Sequence, residues 1–196
     1  LLVTILRGHP LGVVMLLKAG NDQIRFKPRP VEGTSVPPDV PIDALLLDGQ
    51  QRLTSLTQAL TGDGVVDTMD ARGKRMQRRY YVDMELALLG EERMEEAVRS
   101  LPRDGIERAN FGKDVVLDVS TPEKEREHRL FPLRLLYDQK ATLWLIELED
   151  KDLVSRFMAD VLLPANSYNI PAIERDNQTS KAAVATVFEK VNVGGL

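Results

Sequence analysis

An apolar run interrupted only by Asp43, IDALLL (42–47), is followed without a spacer by DGQQRLTSLTQAL, in which Leu53, Leu56 and Leu60 recur at helical spacing. Such a run fits a strand covered on both faces, and the leucine spacing fits a helix with one apolar face. The chain therefore passes from a strand, through a single glycine, into a helix. This junction also puts Arg52 in the first helical turn, where unpaired backbone N–H groups already carry about half a positive elementary charge.

Two readings resolve that conflict of charge. With Asp48 as N-cap, Gly49, Gln50 and Gln51 fill the first three helical positions and D-x-x-Q forms a capping box. A bound phosphate would then meet backbone donors, the Arg52 fork and the Gln50 and Gln51 amides together, with Gly49 allowing close approach. Alternatively, Asp48 and Arg52 stand at i and i+4 and form an ordinary ion pair. Spacing alone leaves both open. Neither a GxxxxGK[ST] loop nor a GxGxxG fingerprint occurs in the sequence.

The remaining pattern is mixed. Leu2, Ile5 and Leu6 share a helix face that Gly8 stops, 13–17 and 24–26 read as strands, and the proline-rich stretch 28–41 reads as a mobile loop. Residues 80–86 fit a strand, and 91–101 a solvent-facing helix with Met94, Val98 and Leu101 inward. Residues 114–120 alternate as a strand does, and the charge run 123–129 reads as a solvated loop or helix end. A helix capped by Asp150 carries Leu153, Phe157 and Val161, and Pro171 makes 168–174 an edge strand. A last helix shows Ala183, Val184, Val187, Phe188 and Val191 on one face. Trp144 reads as core and His9 as a turn residue. The predicted class is α+β, a mixed sheet with surrounding helices, in one domain spanning residues 1–196 that reads as cut at both ends.

A chain of 196 residues with a net charge of −4, no cysteine and two distant histidines excludes disulfides, thiol catalysis and a histidine-rich metal site; no metal centre is expected. No apolar run reaches membrane-spanning length, and a cytoplasmic location with no membrane partner is expected. Arg72, Lys74, Arg75, Arg78 and Arg79 crowd a turn beside Tyr80 and Tyr81. They are candidates for DNA phosphate contact, against the simpler reading of a solvated hairpin with its tyrosines in the sheet.

The string Asp48-Gly49-Gln50-Gln51-Arg52-Leu53-Thr54 resembles the DGQQRLT signature of the N-terminal domain of GmrSD-type restriction endonucleases, a family related to the ParB and sulfiredoxin-like fold. LVTILRGHPLGVVML resembles that family's helix-then-strand segment, and VFEKVNVGG its FxRxNxxG segment, with Lys190 where arginine is more usual. The family's upstream Gln-Arg-Pro motif, its helical region and its HNH-type nuclease domain are not in this sequence.

The resemblance implies a ParB/sulfiredoxin-like core that binds a nucleoside triphosphate, with Mg²⁺ as a candidate companion, and hydrolyses it to control a modification-dependent antiphage endonuclease. Gly49, Gln50, Gln51, Arg52, Asn192 and Gly194 would bind the nucleotide, and Asp48 and Arg52 would be catalytic. An HNH-type nuclease domain or subunit and, through the full-length protein, DNA would be the partners. A ParB-like DNA-binding module without turnover and a non-catalytic scaffold for a nuclease are the alternatives. On its own pattern, the Asn192–Gly194 segment is a helix C-cap.

Overall fold

The computed structural model describes residues 1–20, 28–34, 36–37, 39–176, 178–180 and 182–184. Along the chain the elements are α1 (Leu2–Leu6), β1 (Val14–Lys18), β2 (Ala44–Asp48), α2 (Gln50–Leu60), β3 (Val66–Met69), β4 (Arg75–Asp83), α3 (Met84–Ala87), α4 (Met94–Ala97), β5 (Val98–Pro102), β6 (Ile106–Ala109), β7 (Asp114–Asp118), α5 (Pro122–Glu127), β8 (Leu130–Pro132), α6 (Lys140–Ile146), α7 (Lys151–Phe157), α8 (Leu163–Asn166) and β9 (Ala172–Arg175). Open mixed sheets alternate with short helices, the α+β class the sequence predicts. Contacts group the chain into two compact units, residues 1–9 with 55–168 and residues 10–54 with 169–196, so that α2 begins in one and ends in the other.

The smaller unit is built on a sheet of order β2-β1-β9. β1 pairs antiparallel with β2, with an irregularity between Met15 and Leu16, and parallel with β9. The expected two-sided cover of β2 is only partly realised: it is an edge strand in which Leu47 is buried and Ala44, Leu45 and Leu46 are half-buried. Leu17, Leu47 and Val184 form its core, with Met15 and Leu45 against them. β9 is the exposed edge expected beyond Pro171. Residues 182–184 are helical. The rest of the predicted last helix and the strand predicted at 24–26 lie outside the described residues.

In the larger unit the nine-residue β4 is the spine. β5 runs along one edge from Arg78 to Val82, while β3 and β8 follow one another along the other. Tyr81, Leu101, Val119 and Leu130 form one core cluster. Phe131 makes an edge-on contact with Trp144 at 5.3 Å and packs on Phe157 at 5.5 Å, the aromatic geometry that favours close core packing.

Two expected elements change identity here. The helix expected over 91–101 ends at Ala97, because Val98–Pro102 pairs with β4 instead; β-branched Val98 suits that ladder, and the gain in pairing outweighs helical periodicity. The strand expected over 80–86 ends at Asp83, whose carboxylate accepts the Leu86 N–H and starts α3.

The charge run at 123–129 is a helix, α5, capped by Thr121 with Pro122 in its first turn. One of its charges is not solvated. Glu125 is 3% exposed, accepting from Trp144 Nε1 at 3.0 Å and Arg134 Nη2 at 3.2 Å. Burial pushes its carboxyl above the ordinary range, while the Arg134 charge and the Trp144 bond hold it back. Because the folded value is raised, its contribution to stability is complete below the ordinary carboxylate pKa and is lost as pH rises through the raised one.

Glu125→Gln mimics the protonated side chain, so the stability of wild type relative to this variant should fall between about pH 4 and pH 7. Urea titration at both values checks it, and a gap that widens in favour of wild type would be the wrong sign. Glu125→Ala, which strips two buried donors of their acceptor, should lose about 3 kcal/mol.

Candidate functional site

β2 delivers Asp48, and one residue later the backbone turns sharply. Gly49 is buried with φ +94°, and a Cβ there would stand 2.8 Å from Val14 Cγ1, so glycine alone fits. The Gly49 carbonyl accepts the Leu53 N–H at 2.9 Å, which makes Gly49 the residue at the N-cap position. This corrects the expected register: Asp48 remains the last residue of β2, and Gln50, Gln51 and Arg52 are the first three helical residues.

Arg52 bends back from the helix. Its Nη1 donates to the Leu11 carbonyl at 2.9 Å, and its Nη2 to the Val13 carbonyl at 3.1 Å and to Asp48 Oδ2 at 3.0 Å. Gly12, at φ +84°, lets Leu11 and Val13 face the guanidinium from both sides; a Cβ on Gly12 would lie 2.8 Å from Nη1. Two carbonyl dipoles and one carboxylate therefore neutralise from within the chain the charge that sequence reasoning left for either a phosphate or Asp48. The ion-pair reading holds, and it is larger than a surface pair, because both side chains are only 30% exposed and the fork also fixes the segment before β1.

Beside this clamp lies a cavity of about 380 Å³, lined by residues 28–32, Leu45, Leu46, Leu47, Gln50 and Thr54. Arg29, Glu32, Gln50 and Thr54 supply its polar groups, and Gln50 Nε2 also donates to the Leu46 carbonyl at 3.3 Å. The first turn of α2 carries no acidic residue. Of the expected nucleotide residues, Gln50 lines the cavity, whereas Gly49, Gln51 and Arg52 do not. Asn192 and Gly194 lie outside the described residues. Arg29 and Thr54 carried no signal in the sequence; only the glycine in HPLGV hinted at the clamp on the Leu11 side. Among the described residues no three His, Asp or Glu side chains gather as a metal-binding group.

The expected DNA-contact residues divide. Arg72 and Lys74 sit in the turn between β3 and β4, and Arg75 and Arg78 at the start of β4. Arg79 differs: its Nε is buried, and its charge acts on Glu125 and Tyr81. Tyr81 is 1% exposed and its phenol is pushed up by burial, so it is core and not a stacking platform. His9 is exposed, with Nε2 3.8 Å from the Glu91 carboxylate.

An arginine-locked strand–glycine–helix junction beside a cavity marks this α+β domain. The sequence matches the family described as GmrSD restriction endonuclease, N-terminal domain, over residues 1–196, and the chain belongs to that family. No curated protein matches it. Membership implies a role in a restriction system. Among the described residues no helix is long and apolar enough to cross a membrane.

Arg52→Ala should lower the unfolding free energy by roughly 2–4 kcal/mol, the range for losing several hydrogen bonds to one charged group. Arg52→Lys should recover less than half of that, since a point charge cannot serve all three acceptors. Denaturant melts of the variants check both, and a change below about 0.5 kcal/mol for Arg52→Ala would remove the clamp from the account.

Proposed function

We propose that this chain is the nucleotide-binding regulatory domain of a modification-dependent restriction endonuclease acting in antiphage defence, and that a nucleoside triphosphate occupies the cavity at the start of α2. The cavity is the observation that carries this reading. Its volume of about 380 Å³ is within the ordinary range for small-molecule sites, and it combines apolar walls from Leu45 and Leu47 with Arg29, Gln50 and Thr54. It opens beside the first turn of an 11-residue helix without an acidic residue there, an arrangement that favours an anion.

In this reading the β2–α2 junction belongs to a ParB/sulfiredoxin-like core. Gln50 and Thr54 hydrogen-bond the nucleotide, the Arg29 guanidinium meets phosphate charge, and the backbone N–H of Gln50 supplies a further donor. Arg52 is a positioning residue: its three bonds hold Asp48 and the Leu11–Val13 segment in place. Asp48, expected as catalytic, is held by Arg52 and does not line the cavity, so it too positions the junction; Mg²⁺ would be held by the nucleotide's own phosphates and water. DNA cleavage belongs to a nuclease domain or subunit that this domain controls.

Calorimetric titration with ATP and GTP, with and without Mg²⁺, tests the reading. Wild type should bind at least one of them, and Arg29→Glu and Gln50→Ala with Thr54→Val should each weaken binding about tenfold or more without lowering the melting temperature. Absence of binding at millimolar nucleotide, or binding indifferent to these variants, would refute it.

A further inference from the structure

A second cleft lies wholly within the larger unit. Residues opposite one another in a ladder share a face, so the pairs Val66–Arg78, Thr68–Met76 and Val98–Val82 place Val66, Thr68, Tyr80 and Val98 on one face of the β3-β4-β5 sheet. The other face is closed by the cluster of Tyr81, Leu101, Val119 and Leu130. On the first face the cover comes from α1, which has only five residues, and from the later turns of α2. Between these helices and the strands a cleft of about 350 Å³ remains.

Its walls belong to the core. Leu56, Ala59 and Val66 are buried, and Leu2, Val3 and Val98 extend the apolar lining. Close packing leaves few voids larger than a water molecule, whereas this volume lies within the range of small-molecule sites.

Three hydroxyls supply polarity, from Ser55 on α2, Thr68 on β3 and Tyr80 on β4. Among the described residues none of the three has a hydrogen-bond partner within the chain. Each can both donate and accept, so together they suit a hydroxyl, carbonyl or amide on a ligand.

Charge narrows the class further. Among the described residues no lysine, arginine or histidine lines the cleft. A carboxylate or phosphate inside it would lose its water and meet no cation. Asp67 brings the one charged side chain of the lining, but it is exposed and already bonded across the opposite face, where its Oδ1 accepts from Gln77 Nε2 at 3.0 Å. An ammonium therefore gains little there. The cavity at the start of α2, with Arg29 in its wall, makes the opposite selection.

We propose that this cleft is a binding site for a small uncharged ring compound bearing hydroxyl or carbonyl groups. The ring lies against Leu56, Val66, Val98 and the Tyr80 ring, and its polar groups bond to the Ser55, Thr68 and Tyr80 hydroxyls. The assignment is independent of the nucleotide cavity, because no residue lines both.

Nitrogen-15 NMR titration of the chain with phenol and benzamide, beside benzoate and benzylamine as charged counterparts of similar size, tests it. The neutral probes should bind with Kd of about 1–10 mM and shift the amides of Ser55, Val66, Thr68 and Val98. The charged probes should bind at least about tenfold more weakly. Thr68→Val, and Ser55→Ala with Tyr80→Phe, remove hydroxyls while keeping the shape of the walls, so both should melt as wild type does. Each should weaken binding of the neutral probes about fivefold. The proposal is overturned if neither neutral probe binds, if benzoate or benzylamine binds as tightly, or if the hydroxyl variants leave affinity unchanged. It is equally overturned if sedimentation traces the shifts to self-association, which would make this face a contact between copies of the chain.

Discussion

The smaller unit depends on one guanidinium. Arg52 occupies the first turn of a helix, where its charge is unwelcome, and the chain answers with a carboxylate from the end of β2 and two carbonyls from the segment before β1. Each contact requires a neighbour to conform: Gly12 must take a positive φ so that Leu11 and Val13 converge, and Gly49 must turn without a Cβ beside Val14. The DGQQR string is therefore a structural lock first. The cavity beside it has walls from β2 and the opening turn of α2, and the lock fixes both.

The larger unit uses a different economy of charge. Glu125 is buried, yet it is bonded to an indole N–H and a guanidinium, which turns a costly burial into a directional one between α5, the Arg134 segment and α6. Arg79 Nε and the Tyr81 hydroxyl are buried nearby, and the Arg79 charge offsets part of the rise that burial imposes on the Tyr81 phenol. Outside, Arg99, Arg126 and Arg129 pair with Glu107, Glu147 and Glu85 and tie separate segments of the unit together.

Local chemistry was legible in the sequence wherever it settled the outcome. The strand–glycine–helix junction, the Asp150 cap, the Gly8 stop and the edge strand after Pro171 all follow from neighbours within a few residues. The sequence was misleading where partners far along the chain won. Val98–Pro102 leaves its helical period for β4, and Glu125 hides inside a run that reads as solvated. At the site, Gln50 was readable because it sits in the motif. The acceptors of Arg52 at Leu11 and Val13, about forty residues away, had no local signature, since a carbonyl oxygen is the same in every residue. Arg29 and Thr54 were invisible for a related reason: a cavity arises from the meeting of segments, and no spacing records it.

The central claim is that an internally satisfied Arg52 holds open an anion-accepting cavity at the start of α2. Nitrogen-15 NMR of the chain, followed during addition of a nucleoside triphosphate, tests it most directly. The account predicts that the Gln50, Gln51 and Thr54 amides shift with saturation while the Arg52 guanidinium remains in slow rotation, held by the same acceptors before and after. Shifts confined to other segments, or an Arg52 side chain that rotates freely in the unliganded protein, would contradict it.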